Sequence, residues 1–357
     1  MEKDKQEKKK KQKKVTILSI DGGGIRGIIP GVILNHLEKE LRRISKRPDA
    51  KLVDFFDFVA GTSTGGILAC LYLFPDGDSK RPKHSTEEAL ELYLKNGDRI
   101  FHAHKWDLLA KLDGLMKEKY AIKHLEALLS DYFENKTLSK LVKPCLITSY
   151  EITARKAHFF RSIDAKDGID DFYVKDVARA TSAAPTYFEP ALVKSMNGQE
   201  FTLIDGGVFA NNPALCAYAE ARRTEFSKYG SKKNHPAAKD MMIVSVGTGT
   251  IRQPYHYNEF KNAGELKWLN PIIDILMSGN AETVDYQLTQ IFDTLKEEDK
   301  KYYYRLEPQL REASEEMDNA SKDNLENLKQ AGLWFVGKHK SKMTEIAKEL
   351  IANADFV

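Results

Sequence analysis

Apolar and polar positions follow two rhythms along this chain. Val15 to Ile20 is a short, mainly apolar run of the kind that forms a buried strand, and after a cluster of glycines Ile28 to Ile44 repeats at helical spacing. The same order recurs at Phe55 to Ala60, where an apolar run meets Gly61-Thr-Ser-Thr-Gly65 and continues into an apolar helix from Gly66 to Phe74. Thr86 to Leu141 has mixed-polarity helical spacing, and strands are predicted again at Pro144 to Tyr150 and His158 to Arg161. Two further runs end in tight turns: Phe201 to Ile204 before Asp205-Gly-Gly207, and Met241 to Val246 before Gly247-Thr-Gly-Thr250. Beyond Glu265 the pattern is mostly helical, interrupted by Tyr302 to Leu306, which is suited to an edge strand. Strand, turn and helix in this succession predict an α/β fold. We assign a disordered basic tail to residues 1–14, one α/β domain to 15–310, and C-terminal helices packed on that domain to 311–357.

Composition adds limits. At 357 residues and 42% hydrophobic, the chain has enough apolar material for a large core. The net charge of +3 conceals a lysine cluster in the first fourteen residues, which has two readings: attraction to anionic headgroups, or a solubilising tail. The longest apolar run, Ile67 to Phe74, is too short to span a bilayer, so membrane contact is expected to be peripheral. No stretch at the start combines a basic segment, an apolar core and a small-residue cleavage site, and the expected location is cytoplasmic, peripheral at the membrane. Cys70, Cys145 and Cys216 have neither metal spacing nor an even number for pairing.

A strand followed directly by Gly61-Thr-Ser63-Thr-Gly65 and an apolar helix has the order a nucleophile elbow requires. Gly61 and Gly65 support the sharp bend because a side chain at either position would collide with the adjoining strand or helix. The helix that follows aims its free N–H groups and positive end at a developing oxyanion. The earlier cluster, Asp21-Gly-Gly-Gly-Ile-Arg-Gly27, has two readings. Gly22, Gly24 and Gly27 satisfy a dinucleotide fingerprint, which would make this a nucleotide-binding protein, but no second strand ending in an acidic residue follows at the required distance. Alternatively the N–H groups of Gly22, Gly23 and Gly24 converge with that of Thr64 as an oxyanion hole, and Arg26 braces the loop or meets a lipid phosphate.

A serine hydroxyl needs a base. His36 lies in an amphipathic helix, His102 and His104 sit beside Trp106, and His158 falls on a strand, so none has the loop setting of a triad histidine. Asp205 ends an apolar strand before two glycines that permit close approach, and in a desolvated site its carboxylate gains basicity. Asn212 and Pro213 are suited to start the helix Ala214 to Arg223, and Ser182 to Pro190 is a candidate lining for an acyl pocket.

Asp21-Gly-Gly-Gly-Ile-Arg-Gly27, Gly61-Thr-Ser-Thr-Gly65 and Asp205-Gly-Gly207 together resemble the patatin-like phospholipases, as do Ala180-Thr-Ser-Ala-Ala-Pro-Thr-Tyr-Phe188, Ala210-Asn-Asn-Pro213 and Ser245-Val-Gly-Thr-Gly249. The resemblance runs from about Val15 past Leu306. It implies a three-layer α/β/α hydrolase with a central, mostly parallel sheet. It further implies a Ser63–Asp205 dyad, an oxyanion loop at Gly22 to Gly24, and hydrolysis of phospholipid or other acyl-lipid esters without a metal or other cofactor. No nucleic acid polymer is expected as a partner. Some bacterial relatives of this kind act as antiviral effectors switched on by cyclic nucleotides, which makes a cyclic nucleotide a candidate activator here, although the sequence offers no motif for one.

Overall fold

The computed structural model describes residues 13–101, 114–168, 170–230, 232–250 and 254–355. Its strands are β1 (Val15–Ile20), β2 (Phe58–Thr62), β3 (Cys145–Glu151), β4 (Lys156–Arg161), β5 (Ala191–Lys194), β6 (Glu200–Asp205), β7 (Met241–Val246) and β8 (Tyr303–Leu306). They form one sheet in the order β5-β6-β3-β2-β1-β7-β8, with β4 also paired to β3. Strands β3, β2, β1, β7 and β8 pair in parallel, whereas β4, β6 and β5 join antiparallel, so the sheet is mixed. Every residue of β1, β2 and β7 is buried, as expected of parallel strands covered on both faces.

The flanking helices include α1 (Ile28–Ser45), α2 (Thr64–Leu73), α3 (Thr86–Phe101), α4 (Gly114–Phe133), α5 (Val174–Thr181), α6 (Ala214–Arg223), α7 (Glu265–Asp293), α8 (Lys322–Lys338) and α9 (Lys340–Asn353). Helix α1 buries Ile29, Val32, Ile33 and Leu37 at helical spacing. The C-terminal helices close over it: Gly332 of α8 lies so near Val32 that an added Cβ would be 2.8 Å from the valine Cβ, and Thr344 of α9 donates to Glu40 at 2.8 Å. None of the described helices is long and apolar enough to cross a membrane.

Several elements differ from the sequence expectation, α5 among them, since no predicted helix covers Val174–Thr181. Strand β2 starts at Phe58 because Leu52–Phe55 turns as a 3-10 helix, held by the Lys51 N–H donating to Asp54 at 2.8 Å. Strand β5 went unpredicted because it has four residues, too few for a periodic signal, with Ala191 and Val193 inward and Leu192 outward. The lysine tail lies outside the described residues except for Lys13 and Lys14, as do His102, His104 and Trp106. Lys14 is buried, with its ammonium 2.7 Å from Asp299 and its N–H donating to Asn353 at 2.7 Å, while Lys13 meets Asp355 at 2.9 Å. These bonds fasten the start of β1 to the end of α9, at the end of the strand remote from Asp21.

Candidate active site

The register of β3 brings two strand ends together. Strand β4 occupies one edge of β3 from Leu146 to Glu151, so β2 and β6 must share the other. Parallel β2 runs along that edge until Thr62 faces Thr148, and antiparallel β6 arrives from the opposite direction until Asp205 faces Ser149. Because positions 148 and 149 are consecutive, the residue that follows β2 and the last residue of β6 meet head on. Those residues are Ser63 and Asp205, which line one cleft, and the Ser63 hydroxyl is near enough to favour the ionised form of the Asp205 carboxyl.

The turn at Ser63 is strained, with φ 54° and ψ −124°, outside the ordinary regions for a residue with a side chain. It closes so tightly that a Cβ on Gly61 would lie 2.3 Å from the Gly65 carbonyl oxygen, and one on Gly65 would lie 2.2 Å from that of Ile20. Backbone cannot retreat as a flexible side chain can, so Gly65→Ala is expected to destabilise the protein by roughly 3 kcal/mol. Equilibrium urea denaturation would measure this, and an unchanged midpoint would contradict the packing described here. Thr181, at the end of α5, holds the elbow from outside: its hydroxyl accepts the Ser63 N–H at 2.8 Å and donates to the Thr148 carbonyl at 2.7 Å.

Asp205 is 3% exposed, and its Oδ1 accepts the Gly207 N–H at 2.7 Å. Burial drives its carboxyl up to about 7, against the opposing hydrogen bonds from Ser63 and Gly207. A carboxyl in that range ionises near neutrality and retains the proton affinity that a general base needs.

Of the four amides in the expected oxyanion hole, Gly22 must be removed. Its N–H donates to the Asn211 carbonyl at 3.1 Å and so is committed to the fold. The N–H groups of Gly23, Gly24 and Thr64 have no acceptor among the described residues, and Gly24 and Thr64 line the same cleft as Ser63 and Asp205. Arg26 braces the loop, its buried guanidinium donating from Nε to the Gly23 carbonyl at 3.3 Å, and burial lowers its pKa.

The cleft beside Ser63 is apolar. Helices α3 and α4 supply Leu92, Leu125, Leu128 and Leu129, α2 supplies Ile67, and α7 supplies Met277. Ser182, Ala184, Tyr187 and Phe188 line it as well, together with Tyr93 and Met317, so the segment expected to line an acyl pocket does border this cleft. No histidine lines it among the described residues. His158 lies on β4, across β3 from β6, with its ring centroid 4.5 Å from that of Phe160 and 5.0 Å from that of Phe201; burial lowers its pKa to about 4. The helix starts one residue later than expected, with Pro213 at the N-cap of α6, and the Oδ1 of Asn212 just before it accepts the Ala214 N–H at 3.0 Å.

The sequence reading did not single out four residues that hold the turns around Ser63: Thr181, Asn211, Thr248, whose hydroxyl donates to the Gly22 carbonyl at 2.7 Å, and Arg305, whose guanidinium donates to Asp21 at 2.6 Å. Arg305 did carry a signal, since an arginine within the apolar run of a strand is buried only with partners. Asn211 and Thr181 sit in stretches recognisable by resemblance, but their roles depend on backbone contacts that no local pattern reveals.

Comparison with known proteins adds an independent line. Residues 18–218 match the family model described as patatin-like phospholipase. Patatin-like protein 2 of Oryza sativa subsp. indica is 34% identical, over 93% of this chain and 86% of its own length. Patatin-like protein 1 of Arabidopsis thaliana is 36% identical, over 89% and 80%. Patatin group J-1 of Solanum tuberosum is 34% identical, over 92% and 85%. Among solved structures, VipD from Legionella pneumophila is 14% identical with a TM-score of 0.35 over 92% of this chain and 67% of that one, a superposition too loose to carry an argument.

Proposed function

Since this chain belongs to the patatin-like phospholipase family, whose membership supports lipid acyl hydrolase activity, we propose that it is a phospholipase A-type serine esterase working through Ser63 and Asp205. The observation that carries the reading is the head-on meeting of β2 and β6 along one edge of β3, which gives the serine a carboxylate partner at an apolar cleft.

In this mechanism the Ser63 hydroxyl gives its proton to the Asp205 carboxylate as Oγ bonds to the ester carbonyl carbon. The carbonyl oxygen becomes an oxyanion facing the amides of Gly23, Gly24 and Thr64. As the tetrahedral intermediate collapses, the ester C–O bond breaks and the leaving alcohol takes the proton from Asp205. Water then attacks the acyl-serine with Asp205 again as base, releasing fatty acid and restoring the hydroxyl. The acyl chain lies along Leu92, Leu125, Leu128 and Leu129, whose apolar surfaces favour long chains.

The nucleotide-binding alternative has less support. Strand β2 ends in Thr62 and leads into Ser63, where the dinucleotide fingerprint needs an acidic residue, and the Gly22 carbonyl accepts from the Thr248 hydroxyl at 2.7 Å. Calorimetric titration with dinucleotides is expected to register no binding.

A lipid hydrolase must reach substrate held in a bilayer, and α7 offers a peripheral contact. The helix that brings Met277 into the cleft turns Ile272, Ile275 and Leu276 outward, each about half exposed. Ile272→Glu combined with Leu276→Glu is therefore expected to cut turnover of vesicle phospholipid about tenfold or more while sparing a water-soluble short-chain ester, because charges on that face oppose insertion. Equal effects on both substrates would reject the contact.

The reading as a whole is tested by incubating the purified protein with phospholipid and galactolipid vesicles and identifying products by mass spectrometry. Fatty acid and lysolipid are expected, and no fatty acid from any lipid would overturn it. Repeating the assay with a panel of cyclic dinucleotides tests whether the same activity is ligand-switched.

A further inference from the structure

We propose that Arg305 of β8 is a positioning residue for the oxyanion amides, locking two glycine turns into one rigid unit behind the nucleophile. The inference rests on the hydrolase reading above and extends it to residues beyond the 18–218 segment that matches the family model.

Two neighbouring parallel strands, β1 and β7, end at the same level, with Ile20 facing Val246. Each runs into a glycine turn, Asp21 to Gly24 after β1 and Gly247 to Gly249 after β7. Glycine turns have little side-chain packing of their own to fix where their N–H groups point, and an amide that rotates away from the oxyanion contributes nothing. The direction must be imposed from outside.

Arg305 imposes it from β8, where it faces Ser245 of β7. Its guanidinium donates from Nη1 to the Ser245 hydroxyl at 2.8 Å, reaches past β7 to Asp21 Oδ2 at 2.6 Å, and also pairs with Glu307. The other oxygen of Glu307 accepts the Gly249 N–H at 3.2 Å. Between the turns, the Thr248 hydroxyl donates to the Gly22 carbonyl at 2.7 Å. The bonds therefore close a ring through Arg305, Asp21, Gly22, Thr248, Gly249 and Glu307. The ring is tightly packed: a Cβ on Gly23 would lie 2.3 Å from the Thr248 hydroxyl oxygen, and one on Gly247 would lie 2.1 Å from Glu307 Oε2. Arginine suits the task because its planar fork holds several acceptors at fixed angles, which a lysine ammonium cannot reproduce.

Two ligands separate positioning from general structural support. A long-chain trifluoromethyl ketone accepts Ser63 Oγ at its carbonyl carbon, with the serine proton passing to Asp205, and binds as an oxyanion. An ether lipid of the same chain length fills the cleft without forming one. In Arg305→Met we expect kcat on a soluble ester to fall on the order of 10²-fold, the loss typical of one oxyanion donor, with KM within about twofold. Affinity for the ketone is expected to fall by a similar factor, while affinity for the ether lipid stays within about threefold. Arg305→Lys is expected to recover part of both losses. Thr248→Val cuts the ring at its other side without removing a buried charge and is expected to give the same split. If both Arg305→Met and Thr248→Val retain ketone affinity, or lose affinity for both ligands equally, Arg305 has no positioning role. Failure of the native protein to bind the ketone would instead remove the hydrolase reading, and the inference with it.

Discussion

Ser63→Ala is expected to lower ester turnover by at least about 10⁴-fold while leaving the protein folded, as removal of a serine nucleophile does elsewhere. The expectation of intact folding comes from the elbow itself. Its bend depends on Gly61 and Gly65 and on the Ser63 N–H bonded to Thr181, none of which involves the hydroxyl. Alanine keeps the Cβ and the backbone bond and loses only Oγ. Urea unfolding and a vesicle hydrolysis assay on the same preparation decide the matter. Hydrolysis at the native rate would eliminate Ser63 as the nucleophile and with it the mechanism proposed here.

Asp205→Asn is the second large effect, and it separates activity from stability. The carboxamide oxygen can still accept from Ser63 and from the Gly207 N–H, but it cannot take the serine proton, so turnover is expected to fall about 10²–10⁴-fold. In the native enzyme kcat/KM should drop as pH falls below about 7, where Asp205 becomes protonated, and this dependence should vanish from the residual rate of the variant. Stability moves the opposite way. The folded carboxyl titrates near 7 and its ordinary value is 3.8, so between these limits the native state holds a proton that the unfolded chain has released. Raising the pH across that window therefore favours unfolding, and the cost is complete above about 7. Asparagine does not ionise, so the variant's denaturation midpoint should gain on the native protein from about pH 4 upward and level off past neutrality. A relative midpoint independent of pH would mean that burial does not perturb Asp205.

The same property underlies both results. In the proposed mechanism a charge held away from water beside one hydroxyl is both the base and an uncomfortable neighbour for the core, so the expected catalytic benefit and stability cost arise from one desolvation. Arg305 and Asp21 differ from this case. Burial also pushes the Asp21 carboxyl up, but the Arg305 charge and its hydrogen bond work against that push, which suits a pair engaged in holding a loop.

Legibility in the sequence depended on how local each feature is. The elbow was readable because its requirements fall within a few consecutive positions: an apolar run, glycine on either side of a serine, then an apolar helix. The same holds for β1, β7 and α6, whose apolar patterns are complete in themselves. Strand β5 was not readable, since four residues beside a proline carry too little periodicity, and the start of β2 shifted because a local 3-10 turn consumed part of its apolar run.

What the sequence determined by itself was the set of chemical parts: Ser63 in a sharp strand-to-helix turn, Asp205 at a strand end, glycine backbone able to meet an anion, and no histidine in a comparable setting. Only tertiary structure decided where they stand relative to one another. It placed β2 and β6 end to end on one edge of β3, committed the Gly22 amide to Asn211 while leaving those of Gly23, Gly24 and Thr64 free of acceptors among the described residues, and carried Arg305 across β7 to Asp21. The reason is the range of the forces involved. Turn and helix preferences are set by neighbouring residues, whereas strand pairing and buried ion pairs are selected by burial of the whole core, and segments far apart in the chain settle that together.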